Sequence, residues 1–431
     1  MVDRLLDRFV PFVAVTALFA YVTVYAWGMA WPPIRSDGFS YHVYLPSWFI
    51  YHDPTLEALS RDCCGGTFPQ FSGIYRWPGT GRWMNPHPMG VAVLSMPFFL
   101  VGHALTRWSN LSPDGFSLYY QLVTAAAGVF YLALGLWFLR GLLRRRFSPG
   151  VTLATLVAIT WGTNLFHYGT FDSSFSHVFS FCLFVATLFV TPLWLESPTL
   201  GRSVAVGTVA GLVVLTRHSN AVLLAFAALY GITGVSELRG RVAFLRAHWH
   251  KALLVGATAG LLVLPQLVMY RLATGQWIAS PYGSLGWFDF GSPRILQVLF
   301  SPQKGLLFWS PVLVFSVAGF AFLPRAMPEI VLPLAIVLPL DLYLIASWPD
   351  WQFGGSYGHR AFTDILPVFA VGMAAFFSRV RGTRLAVAVG IVVTLAVALS
   401  IAQMLQYWLG IIPFSDTTWD LYRSIFLRFN R

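Results

Sequence analysis

The chain is poor in charge. Only 10% of its 431 residues are Asp, Glu, Lys or Arg, whereas soluble domains carry about 25%. A shortage of that size excludes an ordinary water-soluble globule. Cysteine is scarce too, three in all. Cys63 and Cys64 are neighbours and Cys182 sits in an apolar run, so no disulfide framework and no metal-ligand spacing can be drawn. A vicinal pair is the one disulfide left open. The first apolar run lacks a small-residue cleavage site and reads as a retained span. No glycine-rich loop ends in Lys-Ser/Thr after a strand, which removes a P-loop nucleotide site.

What is present is apolar: 57% hydrophobic and 16% aromatic residues, with a mean hydropathy of +0.66. Membrane spans need ~20 apolar residues each, and the runs here leave loops but no room for a large soluble domain. The expected fold is all-α, a single polytopic membrane domain over 1–431 with about 11–12 transmembrane helices. The net charge of +11 does not indicate nucleic acid. Its arginines fall in short clusters between apolar runs: Arg140 with Arg144–Arg146, Arg239/Arg241/Arg246/Lys251, and Arg379/Arg381/Arg384. That is the distribution of cytoplasmic loops under the positive-inside rule. With those clusters inside, 31–86, 271–305 and 348–360 become outer-face loops. The run 88–106, which holds Pro88, Pro97 and Gly102, then has to be a partial or re-entrant helix for the count to close.

This topology gathers the unusual polar residues at one surface: Asp37, Tyr41, His42, Arg76, Arg82, Asn85, His87, Asp172, His177, Arg217, His218, Tyr282, Lys304, Asp350, His359 and Arg360. Acids, histidines and cations converging at one membrane face argue for a site there. Ser36-Asp37-Gly38 with Tyr41 and His42 follows the first span. It reads either as a helix cap or as an acid placed for proton transfer. Phe171-Asp172-Ser173-Ser174-Phe175-Ser176-His177 joins two apolar runs, as a capped polar turn or as a second acid facing the first. Thr216-Arg217-His218-Ser219-Asn220 interrupts an apolar stretch with no acid nearby in sequence. Arg217 therefore needs a distant carboxylate, a phosphate, or an interfacial position; the planar guanidinium fork suits phosphate. Trp348 to Arg360 holds three consecutive-turn glycines, two tryptophans with flat faces for sugar rings, Tyr357, His359 and Arg360. Arg360 and Asp364, four apart, fit an intrahelical pair. The loop 271–305 adds Tyr282, Trp287, Asp289, Arg294 and Lys304 as an ordered lid. Asp341 is an acid well inside an apolar run.

These stretches resemble the GT-C superfamily, integral membrane glycosyltransferases that use lipid-phosphate-linked sugars. The protein O-mannosyltransferases and lipid A aminoarabinose transferases belong to it. The resemblance rests on Ser36-Asp37-Gly38 with Tyr41, on Asn85-Pro86-His87-Pro88 opening the next helix, and on Phe171-Asp172 through His177. It is loose in the second half of the chain. It implies a polyprenyl-phosphate sugar donor, a glycan, lipid or protein acceptor, and contact with membrane lipids. It also implies inversion, with Asp37 as general base and Asp172 as the second catalytic acid. Arg217, His218, Lys304 and Arg360 would hold the donor phosphate. Tyr41, His42, His87, His177, Tyr282, Trp351, Tyr357 and His359 would line the substrate site. No cofactor is called for. Asp172 stands without an Asp-X-Asp pattern, which departs from the metal-dependent oligosaccharyltransferase branch and leaves a divalent metal open. The compact arginine-rich loops suggest a bacterial plasma membrane, with the site facing the periplasm or exterior. The competing reading is a multi-span transporter or lipid flippase using Asp341 and Arg217, against which no internal repeat of spans is seen.

Overall fold

The protein is described here from a computed structural model covering residues 1–29, 31–282 and 288–429. Trp287 of the expected lid lies outside those residues. In a bilayer every backbone amide must be satisfied within the chain, which favours helices, and the described residues follow that rule. The one sheet among them is a two-stranded antiparallel hairpin pairing Tyr75 with Met84 and Arg76 with Trp83. Among the described residues eight helices are long and apolar enough to cross a membrane, and four shorter apolar helices of 10–17 residues accompany them. The expected eleven to twelve spans thus resolve into full-length helices and interrupted ones. Pro149–Trp161, Leu200–Thr216, His218–Leu229 and Pro311–Phe320 are the short pieces.

Two helices form the centre. Ser176–Glu196 and Arg360–Val380 have 78% and 89% of their apolar windows buried, against 6% for Trp249–Thr274 and 11% for Leu385–Trp408. The last two therefore turn most of their surface to lipid. Leu200–Thr216 packs on Trp249–Thr274 through a G-x-x-x-G stripe. A Cβ at Gly207 would lie 2.5 Å from the Val255 carbonyl oxygen and one at Gly211 3.0 Å from that of Ala259. Only glycine lets these two backbones approach so closely.

The bundle has two chemically distinct ends. At one end Arg140 pairs with Asp7, Arg144 lies 4.0 Å from Asp3, and Arg146 pairs with Glu329 at 2.9 Å. The segment before the Arg239 cluster reaches the same side, Gly231 N–H donating to the Glu329 carbonyl at 2.8 Å. At the other end Tyr25 Oη donates to the Phe171 carbonyl at 2.8 Å and Trp408 Nε1 donates to His167. The arginine-rich loops and the polar residues named above are thus segregated, as the charge pattern predicts.

Gly90–Trp108 is a continuous helix of 19 residues. Its contacts nonetheless cover only the first half of Leu118–Arg144. Tyr131 Oη donates to the Leu94 carbonyl, Phe98 meets Phe130, and Gly102 abuts the Tyr119 carbonyl. The helix starts against Leu215–Thr216 and ends beside the beginning of Leu118–Arg144. At 19 unbroken residues it counts among the helices long and apolar enough to cross a membrane. Before it, the segment 31–86 folds into three short helices, Asp37–His42, Tyr44–Phe49 and Glu57–Cys64, the last closed by a Cys63–Cys64 disulfide. Cys182 is a buried free thiol.

Candidate functional site

Asp37 opens the helix Asp37–His42, but not as a cap: Ser36 makes no side-chain capping bond. Ser36 instead adopts φ 48°, a left-handed backbone that costs a non-glycine residue energy and turns the chain sharply into the helix. Gly38 then lies on the Ser173–Ser174 turn, where a Cβ would come within 2.1 Å of Ser174 Oγ. So seated, the Asp37 carboxylate takes Arg360 Nη1 at 3.0 Å and has His87 Nε2 at 3.9 Å. Burial alone would raise the Asp37 pKa; the charges of Arg360 and then His87 outweigh it and hold the carboxyl below its ordinary value. Asn85-Pro86-His87 is tied to the same helix pair. Asn85 Nδ2 donates to the Ser40 carbonyl, Tyr44 Oη donates to the His87 carbonyl, and the Tyr41 ring stands edge-on to His87 at 4.9 Å.

A second acid abuts this pair. Asp364 Oδ1 accepts from His177 Nδ1 at 3.0 Å, while its Oδ2 accepts from Arg217 Nη1 and from Asn220 Nδ2, each at 3.0 Å. Three elements are thereby fastened to the start of Arg360–Val380. The apolar stretch is broken at Thr216-Arg217-His218 because Arg217 leaves helical geometry (φ −152°, ψ 123°) and caps the helix Leu200–Thr216. The distant acid that Arg217 requires is thus Asp364. The guanidinium also faces the Phe353 ring at 5.8 Å. Arg217 and Arg360 each commit Nη1 to a carboxylate, and among the described residues the buried Nε of Arg360 has no hydrogen-bond partner.

Asp172 belongs to a separate cluster. Its Oδ1 accepts from Arg35 at 2.7 Å and its Oδ2 pairs with His167 Nε2 at 2.8 Å. Trp408 Nε1 donates to His167 Nδ1 at 2.9 Å. That donation fixes the tautomer: Nδ1 accepts, so Nε2 carries the proton and donates a hydrogen bond to Asp172. Burial raises the Asp172 pKa, but Arg35 and then His167 bring it down to about 2. Arg35 and His167 went unnoticed in the sequence. Arg35 stands two residues before Asp37, and His167 lies in the apolar run Leu165–Thr170.

The remaining expected site residues divide. Tyr282 keeps 42% of its surface exposed and packs on Trp348, which also meets Phe288; this aromatic group flanks the site. His42 Nε2 bonds the Gly115 carbonyl and packs on Phe99 and Phe116, away from Asp37. His218 bonds Val214 and Tyr270, and Tyr357 Oη donates to the Ser400 carbonyl. Trp351 is buried in the core, so its face is not open to a sugar ring. His359 is enclosed by Phe353 and Phe362, and burial depresses its pKa to about 3. Lys304 spends its ammonium on the carbonyls of Ser356 and Phe414, stapling the 348–360 loop to the segment after Trp408. Burial lowers its pKa to about 7. Asp341 is half-buried inside Pro328–Ser347, and its Oδ2 has no partner among the described residues.

Among the described residues no three His, Cys, Asp or Glu side chains converge as metal ligands. Around the Asp37 carboxylate stand the Arg360 guanidinium, the Ser36 hydroxyl and the His87 imidazole, and a cation among them does not fit a divalent metal site.

No protein-family profile matches the sequence, and no curated protein matches it. Solved structures do. The archaeal oligosaccharyltransferase AglB from Archaeoglobus fulgidus, in complex with an inhibitory peptide and a dolichol-phosphate, aligns over 99% of this chain and 60% of its own, with a TM-score of 0.50 at 12% identity. The apo form of the Archaeoglobus fulgidus oligosaccharyltransferase aligns over 98% of this chain and 60% of its own, with a TM-score of 0.47 at 13% identity. The chain thus spans about 60% of the length of these proteins. The likeness is one of fold, shared with an archaeal oligosaccharyltransferase, and it does not single out the O-mannosyltransferase or aminoarabinose branch.

Proposed function

We propose that this chain is a membrane glycosyltransferase that moves a sugar from a polyprenyl-phosphate donor to an acceptor at the polar end of the bundle. The observation that carries the reading is the pair of half-used guanidinium groups, each held by its own carboxylate. Arg217 and Arg360 are each anchored by one nitrogen, to Asp364 and Asp37, and the buried Nε of Arg360 has no hydrogen-bond partner among the described residues. A phosphate is the ligand whose oxygens suit two such forks. The fold adds support, since a protein sharing it was captured with a dolichol-phosphate and a peptide. The long lipid-facing helices supply a surface along which a prenyl chain can lie.

In this reading Arg360 and Arg217 hold the donor phosphate, and Asp37 takes the proton from the acceptor hydroxyl. The acceptor oxygen forms its bond to the anomeric carbon from the face opposite the phosphate. The carbon–oxygen bond to phosphate breaks with its electron pair going to the phosphate oxygen, where the two arginines stabilise the charge. The product is inverted, and polyprenyl phosphate leaves. No step runs through a metal.

The test is a transfer assay with purified protein and radiolabelled polyprenyl-phosphate sugar. Wild type should transfer or slowly hydrolyse the label and Asp37→Asn should not. Equal turnover by the two would remove Asp37 from the chemistry.

A further inference from the structure

The strongest feature outside the site is the helix Val235–Ala247 at the arginine-rich end. It has 13 residues, none of them buried. Along it Val235, Leu238, Val242 and Leu245 recur at alternating spacings of three and four, which places them on one stripe, and Trp249 opens the next helix just beyond its end. They are 38 to 65% exposed. Phe244, on the other side of the helix, packs on Trp194 of the bundle with ring centroids 5.4 Å apart, so the stripe faces away from the protein. Arg239 and Arg246 are seven apart and border the stripe along one edge. Arg241 borders the other and is anchored to the carbonyls of Ala228 and Tyr230. Glu237 is the only acid in the segment 235–251, against Arg239, Arg241, Arg246 and Lys251.

Both ends of this helix are pinned near the bilayer surface. It follows the apolar helix His218–Leu229 after residues 230–234, and Trp249–Thr274, a full-length span, begins immediately after His248. A 13-residue helix is about 20 Å long, so it cannot extend far from the membrane between those anchors. An uncovered apolar stripe, an aromatic residue at its end and arginines along its edges are the attributes of a helix lying in the headgroup layer. We propose that Val235–Ala247 lies in the plane of the membrane surface, its stripe among the acyl chains and Arg239 and Arg246 on anionic phospholipid headgroups. The proposal is independent of the chemistry at Asp37.

The full-length protein, nitroxide-labelled at Leu238→Cys or at Gly240→Cys, is reconstituted in equimolar phosphatidylcholine and phosphatidylglycerol vesicles. The Leu238 label should be relaxed by oxygen and shielded from an aqueous nickel reagent, and the Gly240 label the reverse. In phosphatidylcholine alone the Leu238 label should move toward water. With Arg239→Gln and Arg246→Gln the response to phosphatidylglycerol should weaken about fivefold per arginine, the factor equivalent to about 1 kcal/mol for each basic residue at an anionic surface. Equal nickel access at both positions would overturn the proposal. So would a Leu238 label shielded from both reagents in a protein that sediments as a dimer, which would make the stripe a seam between two copies. Inorganic phosphate added to phosphatidylcholine vesicles should have no effect; if it reproduced phosphatidylglycerol, the ligand would be a free anion and the lipid surface would be excluded.

Discussion

Arg360 and Asp364 lie four residues apart on one helical segment and do not pair with each other. The segment Arg360–Ile365 is a 3-10 helix, in which residues four apart diverge by about 120° around the axis. In an α-helix they would be stacked and would close an intrahelical ion pair. Here Arg360 reaches Asp37 at 3.0 Å while Asp364 turns to Arg217 at 3.0 Å. One short segment thus aims a cation at the first loop and an anion at a third helix. Both guanidinium groups of the proposed phosphate site are positioned through it.

Arg360 should therefore be irreplaceable by lysine. Lysine keeps the charge but not the fork, and it cannot hold Asp37 and a phosphate oxygen together. Arg360→Lys should lower kcat/KM for the lipid-linked donor by about 10²–10³-fold, the scale of losing one donor to a developing anion. Steady-state kinetics against donor concentration would check this. A variant as active as wild type would remove Arg360 from the site.

Buried Asp364 has three donors depending on it, one of them the partly buried Arg217 cation. Asp364→Asn should leave Arg217 without its counter-charge, at a cost of about 3–5 kcal/mol, the range for breaking a buried pair from one side. Pairing it with Arg217→Gln should restore part of that stability while leaving donor binding impaired. Thermal unfolding in detergent gives the double-mutant cycle, and a donor titration separates affinity from fold.

The acid limb of the pH–rate profile should report Asp37. Its pKa is depressed in the folded protein, so the base stays ionised as pH falls through the ordinary carboxylate range, and activity is lost only at lower pH. Arg360→Gln removes the main depressing charge, and the residual activity of that variant should fall away at higher pH than wild type. The same shift bears on stability: the contribution of the Asp37 pair is present above the unfolded carboxylate value of 3.8 and is lost as pH drops through the lower folded value.

Composition and charge spacing carried most of the architecture into the sequence. Apolar runs mark the helices because backbone amides in lipid must close on themselves, and the arginine clusters mark one end because their hydration cost holds them out of the bilayer. The site was legible only in part. Asp37, His87, His177, Arg217 and Arg360 break apolar or glycine-rich stretches and so attract notice. Which cation meets which acid is a matter of tertiary distance: nothing local distinguishes Asp364 as the partner of Arg217 from Asp364 as the partner of Arg360. Arg35 and His167 stayed hidden because their partner, Asp172, is 137 residues away in one case and lies across a helix break in the other. His42, His218, Tyr357 and Lys304 were polar residues in a suitable place, but a buried polar atom must be satisfied, and each satisfies a nearby carbonyl or hydroxyl.

Asp172 should prove a positioning residue. Both its oxygens are occupied, by Arg35 and by a histidine whose other nitrogen accepts a hydrogen bond from Trp408. Asp172→Asn keeps the shape and leaves Arg35 without its carboxylate. The apparent Tm should drop while kcat for the surviving folded fraction stays within a few-fold of wild type. A collapse of kcat with an unchanged Tm would return Asp172 to the chemistry.

Lys304 should give the stability curve a distinctive slope. Its ammonium is buried between two backbone carbonyls, and burial brings the folded pKa to about 7, against 10.5 in the unfolded chain. Between those values the unfolded state binds more protons than the folded one, so stability rises with pH across that window and is flat with respect to this group below it. Lys304→Met removes the titration and also leaves the carbonyls of Ser356 and Phe414 short of a donor, at about 1–3 kcal/mol for each buried group left unpaired. The variant should therefore melt earlier than wild type at every pH, with a gap that widens from neutral to alkaline conditions. Apparent Tm measured over that range checks both parts, and a gap independent of pH would mean that Lys304 keeps its proton throughout.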